Sequence, residues 1–111
     1  MSAPERSISG EIRAQVHVRA DSRWFSGHFP NFPVLPAIAQ VNMVVAMVTK
    51  ATGTPLYLKK ASRIKFKRLV APDCTLTLQA MAEAELNQYK YRISEGEDEV
   101  SSGTLILANK V

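Results

Sequence analysis

Three prolines at every third position, Pro30, Pro33 and Pro36, guard the entrance to an apolar run from Val34 to Val48. Each ring fixes φ, removes a backbone donor and drives the preceding residue into extended backbone. Asp21–Pro36 therefore reads as a loop, and Pro36 suits the first turn of whatever helix follows it. The pattern predicts a helix over Ala37–Thr52 with Gly53 as its stop. Ile38, Val41, Met43, Val44, Val45, Met47 and Val48 occupy most of its faces, so the expectation is a helix buried nearly all round. Its valines are mediocre helix formers, and tertiary burial must hold it helical. The run is broken by Gln40 and Asn42 and is shorter than the roughly 20 residues a membrane span requires, so a non-membrane protein is expected.

The rest of the chain alternates with a period of two. From Glu11 to Ala20, Ile12, Ala14, Val16, Val18 and Ala20 share one face, while Arg13, Gln15, His17 and Arg19 share the other. That is a half-buried strand. After Thr54-Pro55, Tyr57–Lys60 reads as a short strand. In Ala61–Leu69 the residues Ser62, Ile64 and Phe66 oppose Arg63, Lys65 and Lys67. Ala71-Pro72-Asp73 forms a turn. Cys74–Leu86 places Leu76, Leu78, Ala80, Ala82 and Ala84 on one face. Tyr89–Ser94 and Glu99–Ala108 follow, joined by the acidic turn Glu95-Gly96-Glu97-Asp98. One strand, one apolar helix and then four or five antiparallel strands make an α+β domain in which a curved sheet wraps the helix. The exposed sheet edges call for cover, which a second copy would provide.

At 111 residues the chain makes a single domain, with residues 1–8 as a loose polar lead-in. Its core is modest, and oligomerisation would help it. The lone Cys74 rules out an intrachain disulfide, and the N-terminus shows no secretory h-region, so a cytoplasmic protein is expected. Two histidines and one cysteine have no metal-ligand spacing, and no metal is expected. The net charge of +4 favours an acidic partner. Nucleic acid is a weak competitor for that partner, because aromatic residues do not interleave with the basic run Arg63, Lys65, Lys67, Arg68.

Chemistry concentrates on His28. A titratable ring on a stiffened loop just before a helix N-terminus is well placed for proton transfer on a carbonyl compound. The segment Gly27-His28-Phe29-Pro30-x-x-Pro33-Val34-x-Pro36 closely resembles the signature of the 3-hydroxyacyl-acyl-carrier-protein dehydratases of fatty-acid synthesis. A second segment, Arg63-Ile-Lys-Phe66-Lys67-Arg68-Leu-Val70-x-Pro72, is similar to the family's Phe-Lys-Arg-Pro-Val-x-Pro strand end. The likeness spans roughly residues 10–108 and points to the short relatives of specialised acyl synthesis, whose helix often opens Leu-Pro-Gly-Val-x-Gln.

The resemblance implies a hot-dog fold, a long sheet wrapped around a central helix. It also implies loss of water from a 3-hydroxyacyl thioester to give the 2-enoyl thioester. No cofactor is implied beyond the phosphopantetheine that carries the substrate. His28 takes the role of the base that removes the C2 proton. The N–H of Ala37, where the family usually has Gly, takes that of the oxyanion donor. Phe29, Lys65, Lys67 and Arg68 are candidates for binding substrate and an acyl carrier protein.

One position departs from the pattern. The family's acid lies fourteen residues after the histidine, and that residue here is Asn42. No Asp or Glu occurs between Leu35 and Lys60. An amide can hydrogen-bond a hydroxyl but cannot serve as a general acid at neutral pH. Three readings remain open. His28 acts as both base and acid, with Asn42 or Gln40 holding the leaving water; the chain pairs with a different hot-dog subunit that supplies the acid; or the activity is thioester hydrolysis or plain binding of an acyl carrier. A homodimer or higher oligomer of dimers is expected, with the heterodimer as the alternative. Gln40 reads as structural and His17 as solvent-facing, and Cys74 has no base near it in sequence to activate it as a nucleophile.

Overall fold

The alternation at the start of the chain becomes strand β2, Glu11–Val18, in which Ile12, Ala14 and Val18 are buried and Arg13, Gln15 and His17 are exposed. A computed structural model of the chain describes residues 3–6, 10–19 and 37–110. Ahead of β2 the lead-in is not loose throughout. Glu5–Arg6 form strand β1 and pair with Arg13 and Ile12.

Helix α1 runs Ala37–Thr52, as its sequence predicts. Gly53 ends it with φ +70° and donates its N–H to Thr49 O at 2.9 Å. This left-handed cap is one that glycine adopts without steric cost. Strands β3 (Leu56–Phe66), β4 (Cys74–Ala82), β5 (Gln88–Glu95) and β6 (Asp98–Asn109) follow. All pairings are antiparallel, in the order β1-β2-β4-β5-β6-β3. The connection from β2 through α1 to β3 thus carries the chain across one face of the sheet to its far edge. Helix α1 packs against β2, β3 and β4 on the way. This curved antiparallel sheet wrapped on one helix is a hot-dog fold.

The core lies between helix and sheet. Val44, Met47 and Val48 of α1 meet Ile12, Leu76, Leu78, Ile93 and Leu105, all fully buried. Each such side chain stabilises the fold by about 1.5–3 kcal/mol relative to exposure. The expectation of burial nearly all round fails on one stripe. Ile38, Asn42, Ala46 and Lys50, spaced by four residues, are all exposed, with Ile38 at 61%. Four-residue spacing keeps these side chains on one side of the helix, the side turned away from the sheet.

The strands differ from their sequence reading chiefly in β4 and β3, the latter ending at Phe66 rather than Leu69. Strand β4 stops at Ala82 rather than reaching Leu86, because residues 83–87 turn the chain: Glu83 N–H donates to Gln88 O, and Asn87 sits at φ +58°. Ala84 is therefore not on the buried face. In β3 the two segments read as separate strands are one continuous strand with two bulges, at Leu58–Lys60 and at Ser62–Lys65. Alternation cannot reveal a bulge, because an extra residue reverses the face of everything after it. Ser62 accordingly pairs with Thr104, on the face away from the helix, while Phe66 pairs with Ser101 on the helix side. Gly103 allows the close packing that the second bulge demands. A Cβ there would overlap Ile64 Cδ1 and lie 3.1 Å from Tyr91 Cε1. Among the described residues no helix is long and apolar enough to cross a membrane.

Candidate active site

Two of the sequence-derived site residues, His28 and Phe29, lie outside the described residues. The described part of the site begins at Ala37, the first residue of α1. The leading N–H groups of a helix have no partner within it and carry the positive end of its dipole. The first turn contains no acidic residue to neutralise that end. A thioester oxygen that gains negative charge during reaction could be stabilised at such a terminus.

Asn42 lies one turn further on, on the exposed stripe. It forms one wall of a groove of about 480 Å³ between α1 and the start of β3. Val45, Ala46, Thr49, Leu56, Tyr57 and Leu58 also line it, and among the described residues Lys50 and Lys110 supply its charges. The carboxamide thus borders an open, mainly apolar channel that, among the described residues, holds no carboxylate. It can orient a hydroxyl or a water but has no proton of suitable acidity to give.

Gln40, two residues from Asn42, faces the opposite way, as the sequence reading held. It is 3% exposed, and Ser101 Oγ of β6 donates to its Oε1 at 3.1 Å. This bond ties the first turn of α1 to the sheet and so fixes where the helix N-terminus points. Tyr91 of β5 is buried on the same face of the sheet, and among the described residues its Oη has no hydrogen-bond partner. Burial pushes the Tyr91 phenol above its ordinary value, an effect the nearby Ser101 hydroxyl partly opposes. That hydroxyl is nonetheless turned to Gln40, and geometry gives it no bond to Tyr91. Sequence reasoning missed this buried trio, since no periodicity marks which polar residues will meet across a helix–sheet interface.

The basic run divides. Lys67 Nζ lies 2.7 Å from Glu99 Oε2, and Arg92 Nε lies 3.1 Å from the other oxygen of the same carboxylate. The Lys67 hydrogen bond is the main reason that the Glu99 carboxyl is held below its usual 4.5. Arg68 reaches both Asp98, at 2.9 Å, and Glu95, at 3.4 Å. These acids come from the β5–β6 hairpin that the sequence showed only as an acidic turn. Lys65 is exposed and, among the described residues, has no ion pair.

The remaining candidates stay outside the site. His17 is exposed, with Nδ1 3.2 Å from Thr75 Oγ1 and Nε2 4.0 Å from Asp73. Cys74 donates its thiol to Ala71 O at 3.3 Å, and burial, then Glu95, raises its pKa, so the thiolate a nucleophile needs is disfavoured. Among the described residues no three His, Cys, Asp or Glu side chains gather as a metal site would require.

Comparison with known proteins decides among the chemistries this scaffold could carry. The sequence model of the ApeI dehydratases, an ApeI-like family, matches residues 4–104. The chain belongs to the ApeI-like dehydratase family. The 3-hydroxyacyl-[acyl-carrier-protein] dehydratase FabZ of Wolbachia pipientis wMel is 32% identical, over 89% of this chain and 78% of that protein. Among solved structures, the dehydratase heterocomplex ApeI:P from Xenorhabdus doucetiae superposes with a TM-score of 0.81 at 25% identity, over 96% of this chain and 94% of that one. An uncharacterized protein from Erwinia carotovora subsp. atroseptica gives 0.73 at 28% identity, over 97% and 91%. The family is therefore that of hot-dog 3-hydroxyacyl thioester dehydratases.

Proposed function

We propose that this chain is one half of a dehydratase, acting on 3-hydroxyacyl thioesters held by an acyl carrier protein and completed by a second hot-dog subunit that supplies the acid. One observation carries the reading: Asn42, on an exposed helix stripe, borders an open groove with no carboxylate on its walls among the described residues. In the proposed reaction His28 removes the C2 proton. The electron pair moves toward the thioester oxygen, where the Ala37 N–H stabilises the developing charge. The pair then returns to form the C2–C3 double bond as the 3-hydroxyl departs. Hydroxide is a poor leaving group, so this hydroxyl needs a proton from an acid, and the partner subunit's helix provides it. Asn42 then positions that hydroxyl or its water. The heterocomplex among the structural relatives supports a pair of unlike subunits, and the exposed stripe Ile38, Asn42, Ala46, Lys50 offers the surface for one.

The test is made on the purified chain, given a 3-hydroxyacyl-carrier thioester while enoyl absorbance and free thiol are followed together. The expected result is little enoyl product from the wild type alone and a gain of about 100-fold in Asn42→Asp, the scale of one general acid. His28→Ala should abolish that gain. Full activity of the wild type alone, with no gain in Asn42→Asp, would defeat the two-subunit reading. Free thiol without enoyl product would replace dehydration by thioester hydrolysis.

A further inference from the structure

The face of the sheet away from α1 carries two adjoining grooves that share Lys90 and Ser102. One of them is balanced, with Glu11 and Glu99 beside Lys90 and Arg92 on its walls. The other, about 510 Å³, is lined by Arg63, Lys65 and Lys90 together with the hydroxyl-bearing Ser102 and Thr104 and, among the described residues, by no acid. The neighbouring cations Lys67, Arg68 and Arg92 are each matched to a carboxylate. Among the described residues, Arg63, Lys65 and Lys90 have none within ion-pair distance. Glu99 feels Lys65 only as the weakest of its influences, and both its oxygens are already held by Lys67 and Arg92.

Three like charges around one groove repel one another unless an anion joins them. The backbone adds a second sign. Arg63 sits at φ +55° within the second bulge of β3. A left-handed conformation costs an ordinary residue stability that glycine would spare, yet here the bulge carries a guanidinium to the groove wall. We propose that this groove is an anion site that takes a phosphoryl group. A tetrahedral phosphate offers acceptors on all sides, which suits a guanidinium fork, two ammonium groups and two hydroxyls gathered from β3, β5 and β6. A groove of this size holds a phosphate and part of the molecule bearing it. The inference deepens the carrier reading above and rests on it only for the phosphate's source. It moves the contact from Lys67 and Arg68 to Arg63 and Lys90, keeping Lys65.

The experiment follows backbone amide shifts of Ser102, Gly103 and Thr104 while the intact chain is titrated with 4′-phosphopantetheine, and separately with pantetheine. Saturable shifts are expected with the phosphorylated probe and an affinity at least tenfold lower without the phosphate. Lys65→Gln and Lys90→Gln should each weaken binding roughly tenfold, the scale of one charge-assisted hydrogen bond. Lys67→Gln should leave it unchanged. Arg63→Gly is the sharpest variant, because it relieves the left-handed backbone: it should keep the melting temperature and still lose binding. Equal binding of pantetheine, equal weakening by Lys67→Gln and Lys90→Gln, or undiminished binding in Arg63→Gly would each overturn the proposal. Competition with adenosine 3′,5′-bisphosphate separates the sources. Displacement supports a site for coenzyme-A-type thioesters, and no displacement supports one for the carrier's arm. Because no turnover is read, an inactive dehydratase with intact binding would count against the catalytic reading alone.

Discussion

On one side of α1, Val41, Val44, Met47 and Val48 are buried against the sheet; on the other, Ile38, Asn42, Ala46 and Lys50 stand one turn apart in the open. The two sides do not divide by hydropathy. Gln40 is buried, while Ile38, far more apolar, is 61% exposed. What separates them is position on the helix cylinder relative to the sheet. The buried amide's oxygen is tolerated there because the Ser101 hydroxyl donates to it. The exposed isoleucine survives because a surface tolerates scattered apolar groups. A helix can therefore be apolar nearly all round and still present one stripe to a partner. On this helix that stripe carries Asn42, at the wall of the groove beside β3.

Truncating each side should have unequal cost. Met47→Ala, in the fully buried row, should lose about 2–5 kcal/mol in urea unfolding. Ile38→Ala should lose under about 0.5 kcal/mol in the isolated chain. A large loss at Ile38 would mean that the stripe is already covered in solution, and the contrast between the two sides would collapse. The two amides form a subtler pair. Gln40→Ala strands the Ser101 hydroxyl and should cost about 1–3 kcal/mol, whereas Asn42→Ala should be close to neutral for stability. A double-mutant cycle of Gln40→Ala with Ser101→Ala should return a coupling of about 1 kcal/mol, and a value near zero would dissolve the tie between helix and sheet.

A further modest effect belongs to charge. The Glu99 carboxyl is held below 4.5, first by its Lys67 hydrogen bond. Its stabilising contribution is therefore complete above pH 4.5 and fades as pH falls through the lowered folded value. Glu99→Gln should cost no more than about 1 kcal/mol at neutral pH and should flatten the acid limb of a stability–pH curve. A cost rivalling Met47→Ala would show that the hairpin's ion pairs, rather than the inner side of α1, hold the molecule together.

Much of the architecture was legible before any coordinates. The helix from Ala37 to Thr52 was readable from its punctuation: a proline before it and a glycine after it. The strand alternation of β2 and β4 was readable because each has one face on the core. The exposed stripe was not, since composition cannot say how far round a helix the sheet will wrap. Neither were the bulges of β3, which period-two reasoning registers only as a lost beat. At the site, Asn42 stood out because a motif predicted an acid there. Its groove took shape only when Leu56–Leu58 folded back beside the helix. The acids that engage Lys67 and Arg68 lie about thirty residues away in sequence and reach them only through the pairing of β3 with β6.

The two bulges of β3 act like a pair of compensating frameshifts. Each inserts one residue against β6, so the first reverses which side every later side chain faces and the second restores it. Leu58 and Phe66 consequently look the same way, and only the short window between them runs out of phase. Over generations such a strand should lose or gain residues in pairs. A single deletion would turn the charged flank of the sheet toward its oily interior, whereas losing both would leave the message intact.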